Sequence, residues 1–234
     1  MNDAAIATEE QIISLFPEQE AEVCGGWILK TYAKHKQLWI HPLYRILDGD
    51  IDERIRICEK IGKYKAAKCV FRIAEYTNYY LRSQLTKEYN YYFKGYAIVS
   101  ELNLTDKVLA KITEKKQKMC MPEISIVQRK IGDSGASMIE LTMLDEKIVQ
   151  DMSDNKVVGR MWIDTLFLFD ASLLSDSILW NVLQFASNNR IKKILVNLAG
   201  CDSFPKMYEE YGFQKLYSCY CYEKQEENKD GFAE

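Results

Sequence analysis

The chain has 234 residues, is 47% hydrophobic and 28% charged, and carries a formal net charge of -3. That is the composition of an ordinary soluble globular protein, with room for one large domain or two of about 110 residues. The charge gives no reason to expect nucleic acid, and no apolar run approaches the ~18 residues of a membrane span. Asp3, Glu9 and Glu10 stand where a secretory signal would be basic and then apolar, so no such signal is expected. Seven scattered cysteines, an odd count, suit reduced thiols in a cytoplasm better than a disulfide framework.

Thr8 is expected to cap a first helix, with Gln11 closing a capping box and Pro17 ending it. Cys24-Gly25-Gly26 marks a turn. Strands are expected at Trp27 to Tyr32 and Gln37 to Leu43, joined through Ala33-Lys34-His35-Lys36. After the turn at Asp48-Gly49-Asp50, Asp50 or Asp52 caps a helix whose apolar face is Ile51, Ile55, Cys58 and Ile61. Lys68 to Ile73 reads as a strand, and Thr77 caps a helix containing Tyr80, Leu81 and Leu85. Phe93 to Leu104 reads as a further strand.

Residues 105–122 read as a connector, with Lys107, Lys111, Lys115, Lys116 and Lys118 on its solvated side. Glu123 to Lys130 and Ala136 to Leu144 flank a hairpin turn at Gly132-Asp133-Ser134-Gly135. Val157 to Phe169 reads as one long strand, with Arg160, Trp162, Asp164 and Leu166 on one face. Ser175 to Asn188 reads as a helix and Ile191 to Leu198 as a strand. Ser203 caps a short helix that Gly212 stops, and Leu216 to Glu223 reads as the last strand. The polar tail from Gln225 is expected to be disordered.

The chain repeats itself. Glu88-Tyr89-Asn90-Tyr91 and Glu210-Tyr211-Gly212-Phe213 each follow a short helical pattern and open an aromatic-rich strand. Upstream, Lys68 to Ile73 echoes Lys192 to Asn197. So long a period implies two copies of one α/β unit rather than a solenoid. The expected fold class is α/β (α+β), with mixed, mainly antiparallel sheets flanked by helices. Units are expected at 1–104 and 123–224.

Two stretches carry a family resemblance. Phe204-Pro205-Lys206-Met207-Tyr208-Glu209-Glu210-Tyr211-Gly212-Phe213 resembles the tyrosine-to-glycine-phenylalanine motif of the GNAT superfamily of acyl-CoA-dependent N-acetyltransferases. Gly26-Trp27-Ile28-Leu29 through His41-Pro42-Leu43, then Ile57-Cys58-Glu59 and Val70-Phe71-Arg72-Ile73, resemble the non-catalytic first half of double-unit bacterial members. The resemblance implies transfer of an acetyl group from acetyl-CoA to a small-molecule or peptide amine by direct attack on the thioester, in a monomer or homodimer. It places Tyr208 as general acid, with Asp164 as a candidate general base and Glu140 as a weaker one. The donor would be held at Leu168, Phe169, Leu174, Ser175, Asp176 and Ser177: first by strand addition, then by a helix N-terminus.

The phosphate loop departs from the family pattern. Asp170 stands at the basic or amide position, and Leu173 and Ser175 stand at the two small positions. Leucine adds bulk where backbone amides must approach an anion, and Asp170 and Asp176 add like charge. Cys201, beside Asp202, replaces the usual asparagine and reads as a small buried residue. A module that has lost the reaction, and binds a small ligand or partner protein between its units, is therefore the alternative. No metal site is expected: Cys219-Tyr220-Cys221 has no completing ligand nearby, and His35 and His41 read as surface or packing residues.

Overall fold

The computed structural model describes residues 3–15, 20–43, 48–76, 79–116, 124–130, 136–143, 156–169, 171, 174–201 and 203–225. In chain order the first elements are α1 (Asp3–Ser14), β1 (Ala21–Cys24), β2 (Trp27–Tyr32), β3 (Gln37–His41), α2 (Asp48–Tyr64), β4 (Lys68–Ala74), α3 (Tyr79–Lys87) and β5 (Tyr91–Asn103). There follow α4 (Asp106–Lys116), β6 (Ile124–Lys130), β7 (Ala136–Met143), β8 (Lys156–Trp162), β9 (Thr165–Leu168), α5 (Asp176–Asn188), β10 (Lys193–Ala199), α6 (Lys206–Tyr211) and β11 (Gln214–Lys224). This is the α/β (α+β) class that the alternating pattern predicts. Among the described residues, no helix is long and apolar enough to cross a membrane.

The chain forms two compact units. The first comprises Met1–Glu10, Gln19–Tyr96 and Ser218–Glu234, and the second Gln11–Glu18 and Ala97–Tyr217. Positions 104 and 123, expected as unit boundaries, both fall within the second. Strands β5 and β11 each give one part to each unit, as does α1.

In the first unit β1, β2 and β3 pair antiparallel, β3 pairs parallel with β4, and β4 pairs antiparallel with the last residues of β11. The crossover from β3 to β4 is α2. Its predicted stripe holds, with Ile51, Ile55 and Cys58 fully buried against Leu38, Ile40 and Phe71. Trp27 and Tyr91 meet the Phe71 ring edge-on at 5.7 and 5.3 Å, each contact worth about 0.5–1.5 kcal/mol beyond area burial.

The second unit repeats the plan. Strands β6, β7, β8 and β9 pair antiparallel, β9 pairs parallel with β10, and β10 pairs antiparallel with residues 97–103 of β5. The β9–β10 crossover is α5, which buries Leu179, Val182, Leu183 and Ala186 on Leu166, Leu168, Ile194 and Val196. Trp180 Nε1 donates to Ile112 O at 3.2 Å and fixes α5 against α4.

Helix endings show how closely the units match. After α2 the N–H groups of Ala67 and Ala66 bond Gly62 O and Lys63 O. After α5 those of Ile191 and Arg190 bond Ala186 O and Ser187 O. After α6 those of Phe213 and Gly212 bond Tyr208 O and Glu209 O. All three are the same left-handed stop, with φ of +49°, +58° and +92° at Ala66, Arg190 and Gly212. Asn90, the counterpart of Gly212, is also left-handed at +52°. The strand echo is real but one residue out of step. Cys69 and Phe71 face the helices in the first unit, and Ile194 and Val196 do so in the second. Phe71 therefore matches Val196, and Arg72 matches Asn197. A one-residue slip exchanges the faces of a strand.

Four local expectations are corrected. Helix α6 starts at Lys206 with Pro205 at its N-cap and no side-chain cap, so Ser203 does not cap it. Helix α1 starts at Asp3, so Thr8 lies inside it, and its hydroxyl donates to Ala4 O at 2.8 Å instead of capping. Helix α2 starts at Asp48, which puts Asp50 and Asp52 within its first turns. The strand expected over Val157 to Phe169 breaks at Ile163, where φ is +55°, into the antiparallel pair β8 and β9. Thr77, the turn at 132–135 and the tail from 226 lie outside the described residues.

Candidate functional site

The second unit contains a fork between two parallel strands. Strands β9 and β10 pair in register from Thr165 with Lys193 to Leu168 with Val196, and then lose that ladder. Past the last pair, the contacts change character. Asn197 Nδ2 donates to Phe169 O at 2.9 Å, and Ala171 N–H donates to Asn197 O at 3.0 Å. Tyr208, on α6, donates its hydroxyl to Ala171 O. The Tyr208 ring is fully buried, edge-on to Phe213 at 5.1 Å.

Each expected site residue can now be placed. Leu168 ends the ladder, Phe169 O takes the Asn197 amide, and Tyr208 reaches the same fork. Leu174 is buried, and its N–H approaches Ala171 O at 3.4 Å. Ser175 caps α5, accepting from Ile178 N–H at 3.3 Å, and Asp176 opens the helix as its first-turn acid. Asp176 O accepts from the Tyr211 hydroxyl at 3.5 Å. Ser177 lies on α5, its side chain outside the described set, as are Asp170, Leu173 and the Glu140 side chain.

Asp164 is not brought to the fork. It sits in the β8–β9 turn, at the opposite end of β9, about 13 Å from Leu168 at ~3.3 Å per residue. Its carboxylate faces Lys192 Nζ at 3.3 Å and is 40% exposed. Its carbonyl accepts from Lys192 N–H and Lys193 N–H. That is a turn anchor, remote from Tyr208. Cys201 packs beside the core but is only half-buried, less covered than the buried residue expected.

The fork of the first unit is built differently. Parallel pairing of β3 with β4 ends at Ile40 with Phe71, so His41 and Arg72 follow it. Glu9 of α1 joins them, only 2% exposed. Its carboxylate accepts from Arg72 Nη2 at 3.0 Å and Nε at 3.4 Å, and from the Cys219 thiol at 3.4 Å. His41 Nδ1 lies 3.9 Å from Glu9 Oε2, and its ring stacks on Trp39. Burial, with Arg72 and Lys30 adding to it against Glu9, drops His41 to about 4. Burial likewise pushes the Cys219 thiol well up, so it is no nucleophile. His35 is exposed, in the turn before β3.

Sequence reading missed Asn197, Glu9 and Arg72. Asn197 had a faint signal as a lone amide in the apolar run Ile194 to Leu198. Glu9 had one too: it falls four residues from both Ala5 and Ile13, on the buried face of α1. Among the described residues, no group of three or more His, Cys, Asp or Glu is arranged to hold a metal.

This geometry has counterparts. The chain superposes on a GCN5-related N-acetyltransferase from Kribbella flavida with a TM-score of 0.61 and 10% identity, covering 98% of each chain. A conserved protein of unknown function from Staphylococcus epidermidis gives 0.56 and 10%, over 91% of this chain and 98% of that one. A GCN5-related N-acetyltransferase from Sphaerobacter thermophilus gives 0.52 and 8%, over 85% and 76%. No family model and no curated protein matches the sequence. The chain thus has the GNAT fold, the fold of the GCN5-related N-acetyltransferases. Its two units each carry a mixed, mainly antiparallel sheet with flanking helices.

Proposed function

We propose that the chain is an acyl-CoA-dependent N-acyltransferase that moves an acetyl group to an amine by direct attack on the thioester. The observation that carries this reading is the position of Tyr208, whose hydroxyl lies at the strand fork of the second unit. The fork suits an extended arm. Phe169 O, Ala171 N–H and Ala171 O stand as acceptor, donor and acceptor in the order an added strand requires, each bonded within the unit until a ligand displaces its partner. The helix end suits phosphates less well, because Ser175 Oγ is engaged by Ile178 N–H and Asp176 brings negative charge.

In that reaction the donor supplies the activated acyl carbon. As the amine nitrogen bonds the acyl carbon and the C–S bond breaks, Tyr208, which donates to Ala171 O in this structure, would transfer its proton to the leaving thiolate and be restored by the proton the new amide nitrogen sheds. Burial of its ring excludes water from that proton. Tyr208→Phe is expected to lower turnover with amine acceptors at least about tenfold, read as free thiol released from acetyl-CoA, while the protein stays folded. Unchanged turnover would remove Tyr208 from the mechanism.

One observation favours a second reading, a module that binds a ligand or partner without transferring an acyl group. The fork's backbone groups are already engaged by Asn197 and Tyr208. Titration calorimetry decides between the two. The enzyme reading expects acetyl-CoA affinity in the micromolar range. Absence of heat at millimolar acetyl-CoA favours the second.

A further inference from the structure

We propose that Asn197 sets how tightly the second unit takes its donor: its carboxamide holds the place of a pantetheine amide, and donor binding exchanges one amide for the other. The inference rests on the acyltransferase reading and extends it to a positioning residue that lies outside the stretches carrying the resemblance.

The register carries the argument. Asn197 is the first residue of β10 beyond the parallel ladder, where Leu168 and Val196 are the last pair. A strand-like ligand entering the fork needs hydrogen-bonding groups on the backbone just past that pair. The Phe169 carbonyl is such a group, and Asn197 Nδ2 donates to it at 2.9 Å. That contact is chemically an amide N–H on a peptide carbonyl, the same bond an amide of a pantetheine arm would make. Ala171 N–H, the next group along, is held by the carbonyl of the same Asn197 at 3.0 Å. One residue therefore engages two successive positions of the edge.

The first unit supplies the contrast. Arg72 stands where Asn197 stands, and its guanidinium is paired with the Glu9 carboxylate, which no uncharged amide replaces at equal cost. The first fork is thus locked by a buried ion pair. The second is closed by neutral hydrogen bonds of the kind that an incoming amide can replace one for one.

An exchange of this kind predicts the sign of a substitution. Deleting the carboxamide removes a competitor from Phe169 O, so donor binding should tighten by about three- to tenfold, the worth of one neutral hydrogen bond. Asn197→Val keeps a residue suited to a strand, and Asn197→Ala serves if valine impairs folding. Calorimetry with acetyl-CoA, S-acetylpantetheine and adenosine 3′,5′-diphosphate is run on the wild type and on the folded variant. The proposal expects tighter binding of the first two, which carry the pantetheine amides, and no change for the nucleotide. Tightening restricted to the variant, with no detectable wild-type binding, also supports it. Unchanged or weaker acetyl-CoA binding by a folded variant, beside a wild type that binds, overturns the role of Asn197 alone. No binding by either protein overturns it together with the acyltransferase reading.

Discussion

Glu9→Ala is expected to cost about 3–5 kcal/mol, the penalty for removing one partner of a buried ion pair. The Glu9 side chain is 3% exposed, and the Arg72 side chain it neutralises is 10% exposed. Alanine takes away the acceptor of three donors, two on Arg72 and one on Cys219, and leaves a guanidinium in a site built to be neutral. A domain stable by about 5–15 kcal/mol would lose a large share of its margin. Urea unfolding at neutral pH checks this. A loss under about 1 kcal/mol would mean that the pair does not hold the N-terminal helix on its sheet. The paired change Glu9→Met with Arg72→Met should cost less than either single change, because both charges leave together.

Stability is also expected to fall by about 2 kcal/mol between pH 7 and pH 5 through His41 alone. Its ordinary value of 6.5 drops to about 4 in the fold, chiefly through burial. Between those values the unfolded chain binds a proton that the native chain refuses. The neutral imidazole therefore gives its full stabilisation above about pH 6.5 and has lost it by about pH 4. The whole gap corresponds to about 3 kcal/mol at about 1.4 kcal/mol per decade. Glu9 opposes the effect, and Arg72 and Lys30 reinforce it. His41→Asn should flatten the profile by that amount in denaturant titrations at the two pH values. A variant with the wild-type slope would show that other groups carry the acid sensitivity.

The parts of the fold that were legible in the sequence are those with local causes. The stripe Ile51, Ile55, Cys58 fixed α2, and Gly212 marked the end of α6. The two tyrosine-bearing helix ends disclosed the duplication, because a left-handed stop followed by an aromatic strand is a short-range pattern. Less legible was anything set by distant partners. Nothing local announces that Ile163 takes a positive φ, since neither glycine nor asparagine stands there to signal it. The error moved Asp164 from a strand face into a turn and away from Tyr208. Tyr208 could be singled out because its motif is contiguous. Its acceptor, Ala171 O, lies 37 residues back and is a backbone atom, which no side-chain pattern encodes. Glu9 stayed hidden for the same reason: an acid on a helix reads as solvated until the arginine 63 residues away is known.

Because Ser218 to Lys224 complete the first unit from a point in the chain past the whole of β6 to α6, the duplication cannot be undone by scission. A fragment ending near residue 104 would expose the β4 edge that Cys219 to Glu223 cover, and bare edges invite aggregation. Residues 218–224 must therefore be made before the earlier-made half can close its sheet.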